Sequence, residues 1–424
     1  MVKERIAIIG SGIAGLSCAR FLANAHAVTL IESAQRPGGH AHTIRVTEPK
    51  TQKQKPMDVG FMVFNEVTYP LLCRLFRELG VKPKPTSMSF SVRHDPANLE
   101  WSGSSLRHLF AQKKNLLSPR FWKLLFQISK FNRLGAAGWK SPEAERTSLA
   151  DWCKQQGLGQ DFLDLYLVPM SSAVWSTPPE RMLGFPAAKL LRFFHNHGFL
   201  GLHTQHPWLT LEGGSETYVQ ALLTKLPIQK KFGQPVESVR RIGDEVEVQS
   251  GGIVERFDRV IFATHADVSL RLLVDSDSEE RRVLSPFQFN ANTAYVHTDI
   301  SVLPRTQLAR ASWNVRTWDE DGQRLTSTHY WMNSLQGVSE HENYLVTINH
   351  GSEIDPARLL QTIPCEHPLF SLEALQAQGD ITALNQRAGS RVHFCGAWQR
   401  YGFHEDGIWS AHQLCSYLKG GDPW

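Results

Sequence analysis

Apolar and polar positions near the amino terminus predict a strand, a tight turn and a helix. Residues 5–9 read RIAII, a short β-branched run typical of a buried parallel strand. Three glycines follow at G-x-G-x-x-G spacing, at Gly10, Gly12 and Gly15. A second apolar run, AVTLIE, ends at Glu32. The pattern therefore predicts that the chain starts with a strand, a helix and a second parallel strand.

Apolar spacing indicates further helices and strands along the chain. The segments with helical spacing are 66–84, 148–158, 161–182 and 408–419. The last of these is expected to stop at Gly420, and Pro169, Pro178 and Pro179 are expected to break the third. The segments with strand-like alternation are 87–94, 292–300, 325–333 and 344–350. The last three are expected to form a sheet that floors a substrate cavity.

Each glycine of the first turn has a physical reason if the turn holds a dinucleotide. Gly10 would allow the tight turn, Gly12 would let the backbone approach a pyrophosphate, and Gly15 would let the helix lie close to the strand. The start of the helix would direct unpaired N–H groups and a positive dipole end at the phosphates. Glu32, twenty residues after Gly12, could accept hydrogen bonds from ribose hydroxyls. We therefore predict a dinucleotide-binding turn.

A cleavable secretion signal is the competing interpretation of this stretch. Lys3 and Arg5 precede an apolar run, and the small-residue segment ANAHA follows at 23–27. Three glycines at fixed spacing give no advantage to an apolar signal core, whereas a strand, turn and helix require them. The glycines therefore favour the dinucleotide-binding turn.

Composition and charge narrow the class of protein. The 424 residues are enough for two or three domains, and the hydrophobic fraction of 42% is typical of a globular protein. The net charge of +4 gives no nucleic-acid signature, and no apolar run approaches the ~18 residues of a transmembrane helix. The six cysteines are scattered without a C-x-x-C pair, which suits reduced thiols. We expect a cytoplasmic protein with no nucleic-acid partner.

The loop after the second strand distinguishes FAD from NAD. SAQRPGGHAHT at 33–43 contains Arg36, which can meet a phosphate, and Gly38 and Gly39, which allow a second close backbone approach. An NAD dehydrogenase would usually continue with another plain strand and helix at this point. MDVGFMVFN at 57–65 then places Asp58 at the start of an apolar segment.

Together these residues resemble the FAD-containing amine oxidase and phytoene desaturase superfamily. Further blocks resemble its motifs and occur in the same order: a glycine pair opening a helix, a hairpin behind the adenine, a strand with His265 where proline is common, and a closing flavin motif. These blocks are 211–223, 236–252, 258–266 and 392–418. Within the superfamily the chain most resembles a branch of predicted flavoproteins associated with cyclopropane and modified fatty-acid synthesis, in which a similar domain precedes some methyltransferases.

The resemblance implies a two-part α/β fold. One part is a Rossmann-like FAD-binding domain of the glutathione-reductase and amine-oxidase type, and the other is a discontinuous mixed α+β substrate domain. We expect the FAD-binding domain to comprise residues 1–84, 208–280 and 385–424. The substrate domain would comprise residues 85–207 and 281–384.

The resemblance also implies non-covalent FAD, with Cys395 and His40 as nominal attachment positions. The expected cofactor contacts are Gly10, Gly12, Ile13, Ala14, Gly15, Glu32, Ser33, Arg36, Gly38, Gly39, His40, Val236, Gly396, Asp406, Gly407 and Ile408. No metal is expected. The histidines at 195, 197, 203 and 206 raise the metal question, but no cysteine or carboxylate joins them at ligand spacing, so they are interpreted as polar groups near the cavity mouth.

The closing motif GFHEDG at 402–407 supplies the candidate catalytic residues. Its helix start would bring free N–H groups to the pyrimidine end of the flavin and stabilise the reduced form. His404 and Glu405 could take part in proton transfer there. Alternatively, Glu405 or Asp406 lies at the helix start because acids are favoured at that position. Hydride transfer from a C–H bond depends first on orientation, and it needs a base only if a proton also leaves.

Residues 101–142 combine basic and apolar side chains without a single acid. The basic residues are Arg107, Lys113, Lys114, Arg120, Lys123, Lys130, Arg133 and Lys140. Such a stretch can lie on an anionic membrane surface, which would suit an enzyme that collects lipids. The alternative, which the sequence favours, is a helix packed on the protein's own core with a solvated basic face.

The predicted function is oxidation or desaturation of an apolar, fatty-acyl substrate by hydride transfer to flavin N5. Three alternatives stay open. An amine oxidase would use oxygen as acceptor, and Trp398 and Tyr401 could then form an aromatic pair facing the flavin. An isomerase would use FAD without net oxidation. A non-catalytic FAD-binding scaffold would deliver lipid to a partner methyltransferase.

Overall fold

A computed structural model describes residues 3–201 and 204–424, so His203 of the histidine segment lies outside the described residues. The strands are β1 (Arg5–Ile9), β2 (Ala27–Glu32), β3 (Thr43–Thr47), β4 (Gln54–Asp58), β5 (Pro83–Thr86), β6 (Phe90–His94), β7 (Leu99–Ser102), β8 (Trp208–Leu211), β9 (Gln229–Phe232), β10 (Val236–Ile242), β11 (Glu245–Ser250), β12 (Ile253–Phe257), β13 (Arg259–Phe262), β14 (Gln288–His297), β15 (Trp313–Glu320), β16 (Gln323–Trp331), β17 (Leu345–Ile348), β18 (Leu359–Leu369) and β19 (Val392–Phe394).

Helices connect and cover these strands. They are α1 (Ile13–Leu22), α2 (Pro70–Leu79), α3 (Leu106–Leu109), α4 (Pro119–Gly138), α5 (Pro142–Arg146), α6 (Leu149–Gln155), α7 (Gln160–Phe162), α8 (Val168–Trp175), α9 (Pro179–Met182), α10 (Ala187–Asn196), α11 (Glu216–Lys225), α12 (Ala266–Leu272), α13 (Ser278–Leu284), α14 (Met332–Gln336), α15 (Leu372–Asn385) and α16 (His404–Lys419).

A parallel five-stranded sheet forms the first layer, in the order β19-β13-β1-β2-β9. The run RIAII is apolar on both faces because both faces of β1 are covered. Ile8 packs into a core that contains Leu16 of α1 and Leu414 of α16. Ile9, on the opposite face, packs into a core built with the sheet β10–β12 and the helices α13 and α15. The expected α/β class, with a parallel sheet, is confirmed.

A seven-stranded sheet forms the second large layer, in the order β18-β14-β17-β16-β15-β6-β7. Its strand pairs are antiparallel except for β15 and β6, which run parallel. The alternating segments predicted at 292–300, 325–333 and 344–350 coincide with parts of β14, β16 and β17. These strands therefore lie in one sheet, as expected.

The predicted division into two domains remains a prediction. Every strand of the parallel sheet comes from the segments assigned to FAD, and every strand of the seven-stranded sheet comes from those assigned to substrate. The helices α13 and α15 extend beyond the predicted boundaries at 280 and 385 and pack in the core of the parallel sheet. We therefore propose that both helices belong with the FAD-binding part.

Several predicted helix ends differ from the structure, and the helix predicted over 66–84 is limited to Pro70–Leu79, with the strand β5 at Pro83–Thr86. The last helix begins at His404 rather than 408, because the carboxylate of Asp406 accepts the Phe403 N–H (2.9 Å) and stabilises an earlier start. Pro169 does not break its helix, because residues 163–167 form a π-helical turn between α7 and α8. A widened turn accommodates a residue that lacks an N–H.

Candidate active site

One cavity of about 1670 Å³ lies where the carboxyl ends of the parallel strands face the seven-stranded sheet. Gly10, Glu32 and Gly396, each at or just after the end of a parallel strand, line one part of it, and Trp313 and Tyr330 of the seven-stranded sheet line another. Typical small-molecule pockets measure about 300–1,000 Å³. The cavity therefore has room for a large cofactor together with a substrate.

The glycine turn between β1 and α1 is closed by contacts that leave no room for side chains. Gly10 has φ +102°, and a Cβ there would lie 2.8 Å from the Ala263 carbonyl oxygen. A Cβ on Gly15 would lie 1.9 Å from the Gly10 carbonyl oxygen. By contrast, a Cβ on Gly12 would meet no atom within 4 Å, because Gly12 faces the cavity. The turn is thus packed behind and open in front, as a pyrophosphate-binding turn requires.

Glu32 stands beside this turn at the end of β2. Its Oε2 accepts hydrogen bonds from the Ser11 N–H (2.9 Å) and the Ser11 hydroxyl (2.7 Å). Its Oε1 accepts from the Ser33 hydroxyl (3.1 Å) and the Ala34 N–H (3.0 Å). Because these donors fix the carboxylate at the cavity wall, it is positioned to accept further hydrogen bonds from a ribose.

The loop at residues 36–40 lies directly against the glycine turn. Gly39 has φ +56°, and a Cβ there would lie 3.0 Å from the Gly12 Cα. The Gly38 N–H donates to the Ser11 carbonyl (3.1 Å). Arg36 does not reach the cavity, because its guanidinium donates to the carbonyls of Ala41 and Gly39 (2.8 Å each). Arg36 therefore stabilises the loop through these hydrogen bonds. In this position its side chain does not point to the cavity, where the predicted phosphate contact would have to form.

His404 lies in the cavity wall at the start of α16. Its ring stacks on Phe61, with the ring centroids 3.8 Å apart, and its Nε2 lies 3.1 Å from the Tyr218 hydroxyl. Burial, and then the nearby His40, lower the pKa of His404 well below its usual value. The ring is therefore neutral and fixed in orientation at neutral pH.

Glu405 and Asp406 point away from the cavity. Glu405 accepts hydrogen bonds from the N–H groups of Leu71 (3.1 Å) and Leu72 (3.0 Å), so it caps the amino end of α2. Burial raises the pKa of Glu405 to about 7 and that of Asp406 to about 6. The catalytic role predicted for Glu405 is withdrawn, because its carboxylate is engaged in the cap.

The predicted site residues fall into two groups. One group lines the cavity, and the other packs behind the residues that line it. The predicted residues in the wall are Gly10, Gly12, Ile13, Ala14, Glu32, Ser33, Gly39, His40, Val236, Gly396 and His404. Within the described parts of the chain, the predicted residues that lie outside the wall are Gly15, Arg36, Gly38, Glu405, Asp406, Gly407 and Ile408. Gly407 belongs to the second group, since a Cβ there would lie 2.5 Å from the Ile13 Cγ2.

The part of the cavity farther from the glycine turn is mainly apolar and aromatic, with uncharged polar residues among them, including Ser87, Ser89, Ser104, Ser105, Ser129 and Asn132. Its wall includes Met88, Phe90, Trp101, Leu109, Leu125, Ile128, Tyr166, Met170, Phe193, Phe199, Trp208, Trp313 and Tyr330. Phe193 and Phe403 stack with centroids 5.1 Å apart, and the Trp175 indole N–H donates to the Tyr401 carbonyl (3.1 Å). These contacts tie the helices of the middle segment to the closing motif.

Sequence reasoning missed a group of cavity residues around two histidines. His265 stacks on Phe289 with centroids 4.0 Å apart, and its Nδ1 lies 3.1 Å from the Glu366 carboxylate. The Nε2 atoms of His367 and His40 are 3.3 Å apart. The substitution of histidine for the usual proline at 265 was a signal, but nothing local to β18 could reveal that His367 faces His40.

Comparison with known families identifies the chain. The family model described as "Flavin containing amine oxidoreductase" matches residues 13–308. The chain belongs to this family. FAD is therefore its cofactor, and the glycine turn, the fixed carboxylate and the adjacent loop fit that cofactor. No cluster of histidine, cysteine or acidic residues within 3–201 and 204–424 is arranged to hold a metal.

Curated relatives are plant desaturases. The chain is 28% identical over 293 residues to a 15-cis-phytoene desaturase, chloroplastic/chromoplastic, of Glycine max, covering 64% of this chain and 49% of the relative. The corresponding protein of Arabidopsis thaliana is 25% identical over 305 residues, again with 64% and 49% covered. The chain spans about half the length of the curated relatives it matches.

Solved structures share the fold over nearly the whole chain. A CLA-producing fatty acid isomerase from P. acnes matches with a TM-score of 0.69 at 14% identity, covering 98% of both chains. A putative protoporphyrinogen oxidase from Exiguobacterium sp. 255-15 matches at 0.68 and 14%, covering 99% of both. The cyclohexylamine oxidase from Brevibacterium oxydans IH-35A matches at 0.68 and 15%, covering 98% of this chain and 100% of that one. At these identities the likeness establishes the fold alone.

Proposed function

We propose that this flavoprotein oxidises or desaturates an apolar, fatty-acyl substrate. The observation that carries the proposal is the change in the cavity wall from polar to apolar. Three acidic or basic side chains other than histidine line the cavity, namely Glu32, Arg271 and Glu366. Glu32 stands beside the glycine turn, Arg271 is on α12 behind the hairpin, and Glu366 contacts His265 at the end of β13. The aromatic part of the cavity therefore suits an uncharged acyl chain of a substrate.

Bound FAD would supply a hydride acceptor, and the protein would bind the FAD and orient the substrate towards it. Gly10, Gly12 and the start of α1 would hold the pyrophosphate, and Glu32 would hold the ribose. His404 would act as a fixed neutral group beside the flavin, since Phe61 and Tyr218 determine its orientation. The aromatic wall would exclude water and align a C–H bond of the substrate. The hydride step itself needs no protein base, but desaturation also releases a proton from the adjacent carbon, and neutral His404 in the cavity wall would accept it.

The alternative of an amine oxidase, in which a neutral amine would lose hydride, has less support from this wall. Trp398 and Tyr401, the aromatic pair that such an enzyme would need, both line the cavity, but Trp398 is only 2% exposed. Its indole N–H donates to the Thr264 carbonyl (3.1 Å), and its ring packs on Phe287 with centroids 4.5 Å apart. Trp398 is therefore anchored in the core of the parallel sheet. In the part of the chain that the structure describes, the aromatic wall has no carboxylate to pair with a cationic amine, so an amine would have to enter it in the neutral form.

Anaerobic mixing of the FAD-loaded protein with long-chain acyl lipids tests the proposal. We expect the visible flavin absorbance to bleach, and mass spectrometry to find a product two hydrogen atoms lighter than the substrate. A simple aliphatic amine is the matched comparison and should leave the absorbance unchanged. Bleaching by amines alone would overturn the acyl proposal in favour of an amine oxidase.

Two other outcomes separate the remaining alternatives. A product of unchanged mass with a moved double bond would indicate an isomerase. Complete redox silence with every lipid would favour a scaffold that delivers lipid to a methyltransferase. The link to cyclopropane and modified fatty-acid synthesis, the methyltransferase partner and the cytoplasmic location with peripheral membrane contact all belong to this proposal. Their first test is mass spectrometry of lipids extracted from the purified protein.

A further inference from the structure

One continuous stretch of chain contributes both to the protein surface and to the wall of the apolar part of the cavity. Residues 103–133, here called the basic apolar surface, comprise the turn after β7, α3, the turn at 113–117 and most of α4. Ser104, Ser105, Leu106 and Ser129 are exposed and also line the cavity. The basic apolar surface and the exposed part of the cavity wall therefore share these residues.

Large apolar side chains project from the basic apolar surface into solvent. Leu117 is 89% exposed, Leu106 77% and Phe126 68%. Leu116 and Trp122 are about half exposed, and the Trp122 indole N–H donates to the Leu116 carbonyl (2.9 Å). Single exposed apolar residues are normal, but a cluster of them marks an interaction site. The bond from Trp122 holds the turn and α4 together as one presented surface.

Every charged side chain on this surface is basic. Residues 103–133 contain no acid, and Arg107, Lys113, Lys114 and Lys123 are exposed. Asp161 reaches across and forms an ion pair with Arg120 (2.6 Å). The remaining cations alternate along the sequence with the exposed apolar residues. This combination of inserted apolar groups and flanking cations matches the headgroup region of an anionic bilayer.

We propose that the basic apolar surface docks on an anionic phospholipid leaflet, so that an acyl chain passes from the bilayer into the cavity. The passage of the chain rests on the proposed function, whereas the docking does not. An acidic protein partner would be attracted by the cations but would not account for Leu117 and Phe126 in a stretch that also lines the cavity. Among the described residues no helix has the length and apolarity needed to cross a bilayer, so the contact is with the surface of the leaflet.

Flotation of the FAD-loaded protein with vesicles tests the docking. We expect binding to phosphatidylcholine vesicles that contain phosphatidylglycerol, weaker binding at high salt, and little binding to phosphatidylcholine alone. Lys113→Gln with Lys114→Gln should weaken binding by roughly fivefold for each charge removed. Leu117→Ser with Phe126→Ser should weaken it by roughly tenfold.

The control is Ile253→Ser with Val254→Ser, which removes two exposed apolar side chains from β12. This variant should bind vesicles as the unaltered protein does. Equal binding to neutral and anionic vesicles, or full binding by the Leu117 and Phe126 variant, would overturn the docking. Flavin absorbance reports whether each variant has folded. Vesicle binding without acyl oxidation would retain the docking and refute the proposed function.

Discussion

Glu32 and Glu405 carry the same carboxyl group but have different structural roles. Glu32 is held by donors from Ser11, Ser33 and Ala34 at the cavity wall, whereas Glu405 is held by backbone donors of α2 away from it. The sequence predicted a ribose contact for Glu32 from its place at the end of the second strand, but it left Glu405 between proton transfer and a place at a helix start. At the scale of single residues, the identity of the hydrogen-bond donors decides which acid can meet a ligand.

The fixed carboxylate of Glu32 gives the first prediction. Glu32→Gln replaces one acceptor oxygen by a donor NH2 group, which cannot accept from Ser11 or Ala34. We expect FAD affinity to fall by about tenfold, the effect of losing about 1.4 kcal/mol of hydrogen bonding. Titration of apoprotein with FAD, followed by flavin fluorescence, measures the change. Glu66→Gln, at an exposed position, is the control, and equal loss in both variants would contradict the assignment.

Glu405 gives a prediction about pH. Its pKa is about 7 in the folded protein and near 4.5 when unfolded, so between these values only the folded state retains the proton. The free energy of unfolding therefore falls as pH rises through this window, by up to about 3 kcal/mol. In the Glu405→Gln variant, the part of this pH dependence that comes from Glu405 should be absent, whereas the part that comes from Asp406 should be present in both proteins. Urea unfolding at several pH values tests this, and parallel pH profiles would refute it.

At the scale of elements, the close crossing of α1 and α16 is the critical contact. A Cβ on Gly407 would lie 2.5 Å from Ile13 Cγ2, so Gly407→Ala must push the two helices apart. We expect a loss of about 1–3 kcal/mol in stability and a lower FAD content. Gly379→Ala in α15 is the matched control, because a Cβ there meets no atom within 4 Å and a helical alanine is favoured. Thermal unfolding and flavin absorbance measure both effects.

Sequence patterns predicted elements best where the signal was local. The strands β1 and β2 and the stop of α16 at Gly420, which has φ +69°, were all predicted from glycines and apolar runs. The start of α16 was placed too late, because the cap from Asp406 to Phe403 depends on side-chain geometry. Pro169 was misjudged because a π-helical turn leaves no distinct signature in the apolar spacing.

At the scale of the whole molecule, the cofactor site joins distant parts of the chain. Residues at the cavity wall come from β1, β2 and α16 and from the segments that directly follow β13 and β19. The glycine motifs were predictable because each acts on its neighbours in sequence. The pairing of His40 with His367 and the aromatic wall were not, because only long-range strand order brings these residues together.

This arrangement predicts how FAD stabilises the apoprotein. A ligand held by segments from both halves of the chain should raise the unfolding temperature of the whole protein in one transition. At a hundred times its dissociation constant the gain is about 2.7 kcal/mol. Calorimetry with FAD measures it. FMN, which lacks the adenosine that Glu32 would hold, should give a smaller shift, and an equal shift would contradict the ribose assignment.

The contact between Ile13 and Gly407 has a consequence for biosynthesis. During translation, α1 leaves the ribosome long before its partner helix has been made. Until α16 has been synthesised, the apolar face of α1 that it covers stays exposed to solvent. Exposed apolar surfaces of this kind promote aggregation or chaperone binding. The nascent chain can complete its cofactor pocket only when the last helix emerges, so the yellow colour should develop after synthesis rather than during it.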